Sequence, residues 1–178
     1  AVVSADIQAR RATTAYIVGS TTQVSTTVEA QLKRIGVTTV VRLTGADRAA
    51  TAAAVAKATG VRGTAVVVSF DTAASRDLAT AAASTAAAVR KPVLVVTATK
   101  VPTATAAAIT SLGISSTTVV GSTATISETV RAAVKGVRTT ASTDAATSEA
   151  VVKKLAPRAA AVTALPVLQP LVGMDKED

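Results

Sequence analysis

Two arginines and an aspartate within seven positions form the most distinctive cluster of polar side chains in this chain. Arg42, Asp47 and Arg48 lie in the segment RLTGADRAAT, between a short β-like run and an Ala-rich helical run. Gly45 allows a tight turn, Asp47 complements the helix dipole, and two guanidinium groups beside a helix N-terminus favour anions. The segment therefore predicts an anion-binding turn or a well-capped connection. An ion pair of Arg48 with Asp47 or Asp77 is the structural alternative.

Few side chains in the sequence are suited to catalysis. The chain has no Cys and no His, which removes thiol chemistry, the usual general base and most zinc or copper sites. Asp47 and Asp77 are the carboxylate pair to consider for glycan hydrolysis, which requires a separation of about 5–9.5 Å around a cleft. No nucleophile elbow, P-loop or GxGxxG fingerprint occurs. We expect a protein that is not an enzyme and needs no metal or cofactor.

The composition indicates a globular protein with an anionic partner. Hydrophobic residues make up 49% of the 178 residues, and the net charge is +8. The basic residues are scattered along the chain in pairs, and this distribution favours an acidic polymer over nucleic acid as the partner. One such pair, Arg90-Lys91, is interpreted as a solvated pair. Aromatic residues are only 1%, so stacking on sugars or bases is nearly excluded. We expect no membrane span, because Pro166 and Pro170 interrupt the apolar stretch 159–174.

Apolar runs and helical patterns alternate along the chain. Helices are predicted at 25–35, 47–59, 74–89, 102–112, 125–135 and 145–155, and strands at 15–18, 37–43, 64–69, 92–97 and 116–120. Residues 1–13 show no clear pattern. Glu29 stands at capping-box spacing from Thr26, with a cap one residue earlier as the alternative. Glu128 stands at the same spacing from Thr125. Continuously apolar strands separated by helices predict an α/β fold with a mostly parallel sheet covered by helices.

The sequence also contains an internal repeat of domain size. Residues 17–25 align with 119–127, so that Gly19 corresponds to Gly121, 102 positions later. The turn at 42–51 has a weaker copy at 138–147, 96 positions later. In this copy Ala141, Thr143 and Asp144 replace the glycine, the aspartate and the second arginine.

The repeat predicts three tandem, degenerate units. Residues 1–36 are the end of a first repeat, and 37–136 form a complete central repeat. Residues 137–178 are the degenerate start of a further repeat followed by a tail.

Four segments, in order, resemble the type-2 cell-wall-binding repeat of exported proteins of Gram-positive bacteria. Arg42–Thr51 resembles the family's RLxGxDRyxT, Arg76–Ala79 its FPDAL, Lys91–Val95 its P[IV]LL strand, and Val119–Ser127 its IxGGxxx[VI]S. The chain departs from the family where Ala49 replaces an aromatic residue and where a serine replaces the second glycine.

The resemblance implies non-covalent anchoring to anionic cell-wall glycopolymers, such as teichoic-acid-like glycans, outside the membrane at the cell wall or surface. It implies polymer contacts at Arg42, Asp47, Arg48, Asp77, Pro92, Val93, Leu94 and Val95, with structural turns at Gly19, Gly45 and Gly121. The alternative function is a structural, self-assembling surface protein, similar to a surface-layer component. In that case, the incomplete repeat interface favours a homo-oligomer.

Overall fold

A computed structural model describes residues 2–155, in which strands and helices alternate. The strands are β1 (Thr14–Val18), β2 (Thr39–Leu43), β3 (Thr64–Ser69), β4 (Val93–Val96), β5 (Ser116–Val120) and β6 (Gly136–Thr139). The helices are α1 (Val2–Ala9), α2 (Thr26–Arg34), α3 (Arg48–Thr59), α4 (Ala73–Ala88), α5 (Thr103–Ser111), α6 (Glu128–Ala133) and α7 (Asp144–Leu155). The predicted apolar tail beyond residue 155 lies outside the described residues.

The strands of this part of the chain pair in parallel and form two sheets. β1 and β2 make a two-stranded sheet, and the other four strands pair in the order β4-β3-β5-β6. Helices connect successive parallel strands, as parallel pairing requires. The α/β fold predicted from the sequence is confirmed.

The four-stranded sheet is covered on both faces by aliphatic side chains. On one face Val67, Leu94 and Val119 pack with residues of α3, α5 and α6. On the other face Val66 and Val95 pack with residues of α4 and α7. Alanines on α3 and α4 are buried in these clusters, and their small side chains allow the helices to approach the sheet closely. Val, Ala, Leu and Ile side chains therefore form a core that contains almost no aromatic residues.

The two-stranded sheet has one covered and one open face. Ile17 is buried, whereas its neighbours on β1, Tyr16 and Val18, are 59% and 54% exposed. β2 pairs with β1 and not with the four-stranded sheet, although the sequence repeat groups β2 with the central unit. The hydrogen-bonded sheets and the sequence repeat thus divide the chain at different points, and the three-unit division stays a proposal.

Two elements and two caps differ from the sequence prediction. The N-cap of α2 is Ser25, one residue before Thr26, and it makes no side-chain cap hydrogen bond, so no capping box forms with Glu29. Neither α1 nor β6 was predicted, although Arg138 in β6 corresponds to Arg42 in β2. The capping-box prediction for Thr125 is wrong, because α6 begins after Ser127, whose hydroxyl accepts a hydrogen bond from the Val130 N–H. No helix in residues 2–155 is long and apolar enough to cross a membrane.

Candidate anion-binding site

The turn between β2 and α3 is fixed by two side chains of the RLTGADRAAT segment. Asp47 is the N-cap of α3, and its carboxylate accepts a hydrogen bond from the Ala50 N–H at 2.7 Å. The Gly45 N–H donates to the Thr51 hydroxyl at 3.0 Å. A β carbon on Gly45 would lie 2.6 Å from the carbonyl carbon of Ala50, so the close approach requires glycine. The Asp47 carboxylate therefore already has a structural role.

The second copy of this turn keeps the same hydrogen bonds with different residues. The Ala141 N–H donates to the Thr147 hydroxyl at 2.9 Å, and the Thr143 hydroxyl accepts from the Ala146 N–H at 3.1 Å. Thr143 stands where the first copy has Asp47, and both residue types are good N-caps. The second turn thus retains these two hydrogen bonds but lacks the glycine, the carboxylate and the second arginine of the first turn.

Arg42 is held by partners inside the protein. Its guanidinium donates to the Glu29 carboxylate (Nε–Oε1 2.6 Å) and to the carbonyl oxygens of Gly19 and Val24, each at 2.8 Å. The Arg42 side chain is only 15% exposed. These contacts connect β2 to the loop between β1 and α2, so the arginine fixes that loop.

Arg138 repeats this arrangement in the second copy. Its guanidinium donates to the carbonyl oxygens of Gly121 and Ile126, and to the Glu128 carboxylate at 2.7 Å. Glu128 aligns with Thr26 of the first copy rather than with Glu29, which lies one helical turn later. Both positions lie on the same face of the helix, so the ion pair is retained.

The carboxylate of Glu128 also accepts a hydrogen bond from Arg131. The hydrogen bonds from Arg131 and Arg138 lower the pKa of Glu128 below its ordinary value, and they outweigh the opposing effect of desolvation.

Arg48, in contrast to Arg42, is exposed and directed to a cavity. Its guanidinium lies over the Phe70 ring, 5.1 Å from the ring centroid, which is a cation–π geometry. In residues 2–155 no ion pair joins Arg48 to Asp47 or Asp77. The structure therefore disagrees with the ion-pair alternative and leaves the charge of Arg48 accessible.

A groove of about 1180 Å³ runs between α3, the C-terminal part of α4, β4 and the loop after β1. Its walls are mostly aliphatic and include Val55 on α3, Ala83 on α4 and Val93 on β4. Three cations, Arg48, Arg90 and Lys91, also line it.

A smaller cavity of about 210 Å³ adjoins the groove at the C-terminal ends of β3 and β4. Asp47, Arg48 and Phe70 line both cavities. The N-terminus of α3 thus faces the strand ends where parallel α/β sheets commonly bind ligands.

The groove brings together five of the eight residues predicted to contact a polymer. Asp47, Arg48, Pro92, Val93 and Val95 line it. Among the other three, Arg42 is bound to Glu29, and Leu94 is fully buried in the core. Asp77 is exposed on α4 and does not line the groove.

Two of the three cations of the groove and its one aromatic residue were not predicted as site residues. Arg90 and Lys91 were interpreted as a solvated pair, and Phe70 received no role. Arg90 and Lys91 could have been identified as site residues from their position directly before the predicted strand at Pro92. No sequence signal places Phe70 beside Arg48, because the two lie on different elements.

The structure does not bring together the two carboxylates, Asp47 and Asp77, that the sequence suggested for hydrolysis. Asp47 lines the groove and Asp77 does not, so the two carboxylates do not flank one cleft there. Residues 2–155 contain no group of three or more acidic side chains that could hold a metal ion. The groove presents positively charged side chains beside an aliphatic surface.

Comparison with known proteins identifies this α/β chain as a wall-binding module. The family model of cell wall binding domain 2 (CWB2) matches residues 42–131, just over half of the chain. The chain belongs to this family. The search of curated protein sequences gave no match.

Two solved structures have a similar fold. Cwp6 from Clostridium difficile has a TM-score of 0.75 at 18% identity, covering 86% of this chain and 26% of that one. Cwp8 from Clostridium difficile has a TM-score of 0.66 at 24% identity, covering 81% of this chain and 24% of that one. The chain spans about a quarter of each, and at these identities the likeness shows the fold alone. The family is one of cell-wall-binding domains of surface proteins.

Proposed function

We propose that this chain anchors a protein to the cell wall of a Gram-positive bacterium by binding an anionic glycopolymer. The observation that carries the proposal is the groove lined by Arg48, Arg90 and Lys91. In residues 2–155 none of these three cations takes part in an ion pair, so their charge is available to a ligand.

The chemistry of the groove suits a repeating anion. Guanidinium groups bind phosphate or carboxylate oxygens through two parallel hydrogen bonds, and Lys91 adds a point charge. Exposed contacts of this kind are individually weak and screened by salt, so a polymer that repeats its anion gains from several of them. In this proposal Arg42 acts indirectly, by holding the loop whose residues form one end of the groove.

Sedimentation of the full chain with purified Gram-positive cell walls tests the proposal. Walls are used before and after extraction of their anionic polymers, across a salt series. We expect retention on intact walls that weakens with salt and is lost after extraction. Retention that survives extraction would assign binding to peptidoglycan, and absence of retention on any wall would refute anchoring.

The open face of the two-stranded sheet favours self-assembly as a second candidate function. Tyr16 and Val18 are exposed on β1, which is an edge strand of its sheet. Exposed apolar edge strands promote association between copies. Light scattering coupled to size-exclusion chromatography tests this: association should weaken in Tyr16→Lys, which lies outside the groove, and a monomer at high concentration would rule it out.

A further inference from the structure

The C-terminal half of α4 both lines the groove and packs against the C-terminal helix α7. Ala83 and Ala87 line the groove on one side of α4. Ala86 is buried in the core cluster that also contains Val151 and Leu155 of α7. The described part of the chain ends at Leu155, and the cluster that contains Leu155 also packs against Val93, which lines the groove.

The end of α7 lies close to the cationic end of the groove. Burial and the neighbouring charge of Lys91 lower the pKa of Lys154. Lys91 itself lines the groove, next to Arg90. Leu155, at the end of α7, therefore lies near the part of the groove that Lys91 and Val93 line.

The groove needs an apolar occupant as well as an anionic one. Ala52, Val55 and Val93 line it and are only half-buried. Phe70 is its one aromatic residue, and Arg48 already stacks on that ring. Sugar rings would thus find no free aromatic platform here, whereas aliphatic side chains would find matching surface.

The sequence after residue 155 has both properties in the required order. Residues 159–174 are mostly Ala, Val, Leu and Met, and residues 175–178 carry three carboxylates and one ammonium group. An extended chain reaches about 3.3 Å per residue, so the 23 residues of 156–178 are long enough to extend from Leu155 into the groove. The acidic end complements the cations of the groove.

We propose that residues 159–178 of the same chain dock in the groove. Their apolar part packs against α3, α4 and β4, and their acidic end binds Arg48, Arg90 and Lys91. Where polymer anchoring also holds, the tail and the polymer compete for the same three cations. This second statement rests on the proposed function, whereas docking of the tail does not.

A single tryptophan in the tail reports docking directly. The chain contains no Trp, so Leu168→Trp in the full chain introduces one unambiguous fluorophore. We expect its emission at shorter wavelength, and its quenching by acrylamide several-fold weaker, than in a synthetic peptide of residues 159–178 with the same substitution. Emission and quenching equal to those of the peptide would overturn the proposal.

Two neighbouring glutamate substitutions test where the tail docks. Ala87 and Ala88 are both exposed on α4, but only Ala87 lines the groove. In the Leu168→Trp chain, Ala87→Glu should restore peptide-like emission, and Ala88→Glu should leave it unchanged. Equal effects of the two substitutions would overturn the proposal. A shift that depends on protein concentration would also overturn it, because the occupant would then be the tail of a second copy.

Neutral tail variants provide a test that leaves the folded region untouched. The Leu168→Trp chain is compared with and without Asp175→Asn, Glu177→Gln and Asp178→Asn. Loss of the three carboxylates should increase acrylamide quenching and remove its salt dependence. Unchanged quenching would contradict the role of the cations.

Extracted wall polymer separates the tail from the proposed function. If polymer and tail share the cations, adding polymer should release the tryptophan and shift its emission to longer wavelength. Polymer that binds the chain without this shift would contradict competition. A chain that binds no polymer but still distinguishes Ala87→Glu from Ala88→Glu would refute anchoring and leave tail docking supported.

Discussion

Arg42 and Glu29 form an ion pair, with Nε and Oε1 2.6 Å apart, that joins β2 to the first turns of α2. Arg138 and Glu128 form the same pair in the second copy, although the glutamate comes from a position one helical turn earlier. The retained feature is therefore the contact and not the sequence position. An arginine that the family pattern marks as a polymer contact is, in this structure, bound within the protein.

Removing Arg42 should lower stability. Arg42→Ala leaves the Glu29 carboxylate without its partner and the carbonyl oxygens of Gly19 and Val24 without their donor. We expect the free energy of unfolding to fall by about 2–3 kcal/mol. Urea denaturation measures it, with Arg34→Ala, an exposed arginine of the same loop and helix region, as the control. Equal losses in the two variants would contradict the structural role.

Replacing Asp47 tests whether its carboxylate acts only as a cap. Asp47→Ala should cost about 1 kcal/mol, because the Ala50 N–H loses its acceptor. Asp47→Thr should cost only a few tenths of that, since Thr143 caps the equivalent turn. Thermal unfolding distinguishes the two, with a shift of roughly 2–4 °C for each kcal/mol. A similar loss in both variants would show that the charge of Asp47 is needed for stability.

Phe70 should support binding through Arg48. Phe70→Leu keeps an apolar side chain but removes the ring over which the guanidinium lies. A cation–π contact at an exposed site contributes about 0.5–1 kcal/mol, so we expect roughly two- to fivefold weaker wall binding. Binding isotherms on cell walls measure this, and Phe70→Tyr is the matched control that keeps a ring. Unchanged affinity in Phe70→Leu would remove Phe70 from the site.

Acid should weaken the second copy of the ion pair. Because Arg131 and Arg138 lower the pKa of Glu128, the ionised carboxylate stabilises the folded state above the ordinary pKa of 4.5. This contribution is lost as the pH falls through the lower pKa of the folded state. The stability difference between the parent chain and Glu128→Gln should therefore shrink from pH 7 towards pH 3, as measured by urea denaturation. A constant difference would contradict the assignment.

The sequence predicts the fold well because its signals are local. Val-rich runs, stop glycines and Ala-rich helices placed nearly all the elements within a few residues. β6 was missed because it has only four residues and one of them, Arg138, is charged. The pairing of β2 with β1 was not predictable from periodicity, since a repeat fixes which segments correspond but not which of them share a sheet.

The candidate site was predictable in part. Asp47, Arg48 and the strand at Pro92 were identified from their motifs, and they do line one groove. The internal partners of Arg42 were not identified from the sequence. Its acceptors include the carbonyl oxygens of Gly19 and Val24, and backbone carbonyls distant in sequence carry no residue-specific signal. Arg90 and Phe70 likewise enter the site only through tertiary packing.

The most direct test of polymer anchoring compares two triple variants with the same net charge. One is Arg48→Gln, Arg90→Gln and Lys91→Gln in the groove; the other is Lys33→Gln, Arg34→Gln and Lys57→Gln, three exposed positions outside it. Retention on intact cell walls is measured for both across a salt series. We expect the groove variant to bind roughly tenfold more weakly and with less dependence on salt, and the control to bind nearly as the parent does. Equal losses in the two variants would contradict a site in the groove and indicate that only net charge attracts this chain to the wall.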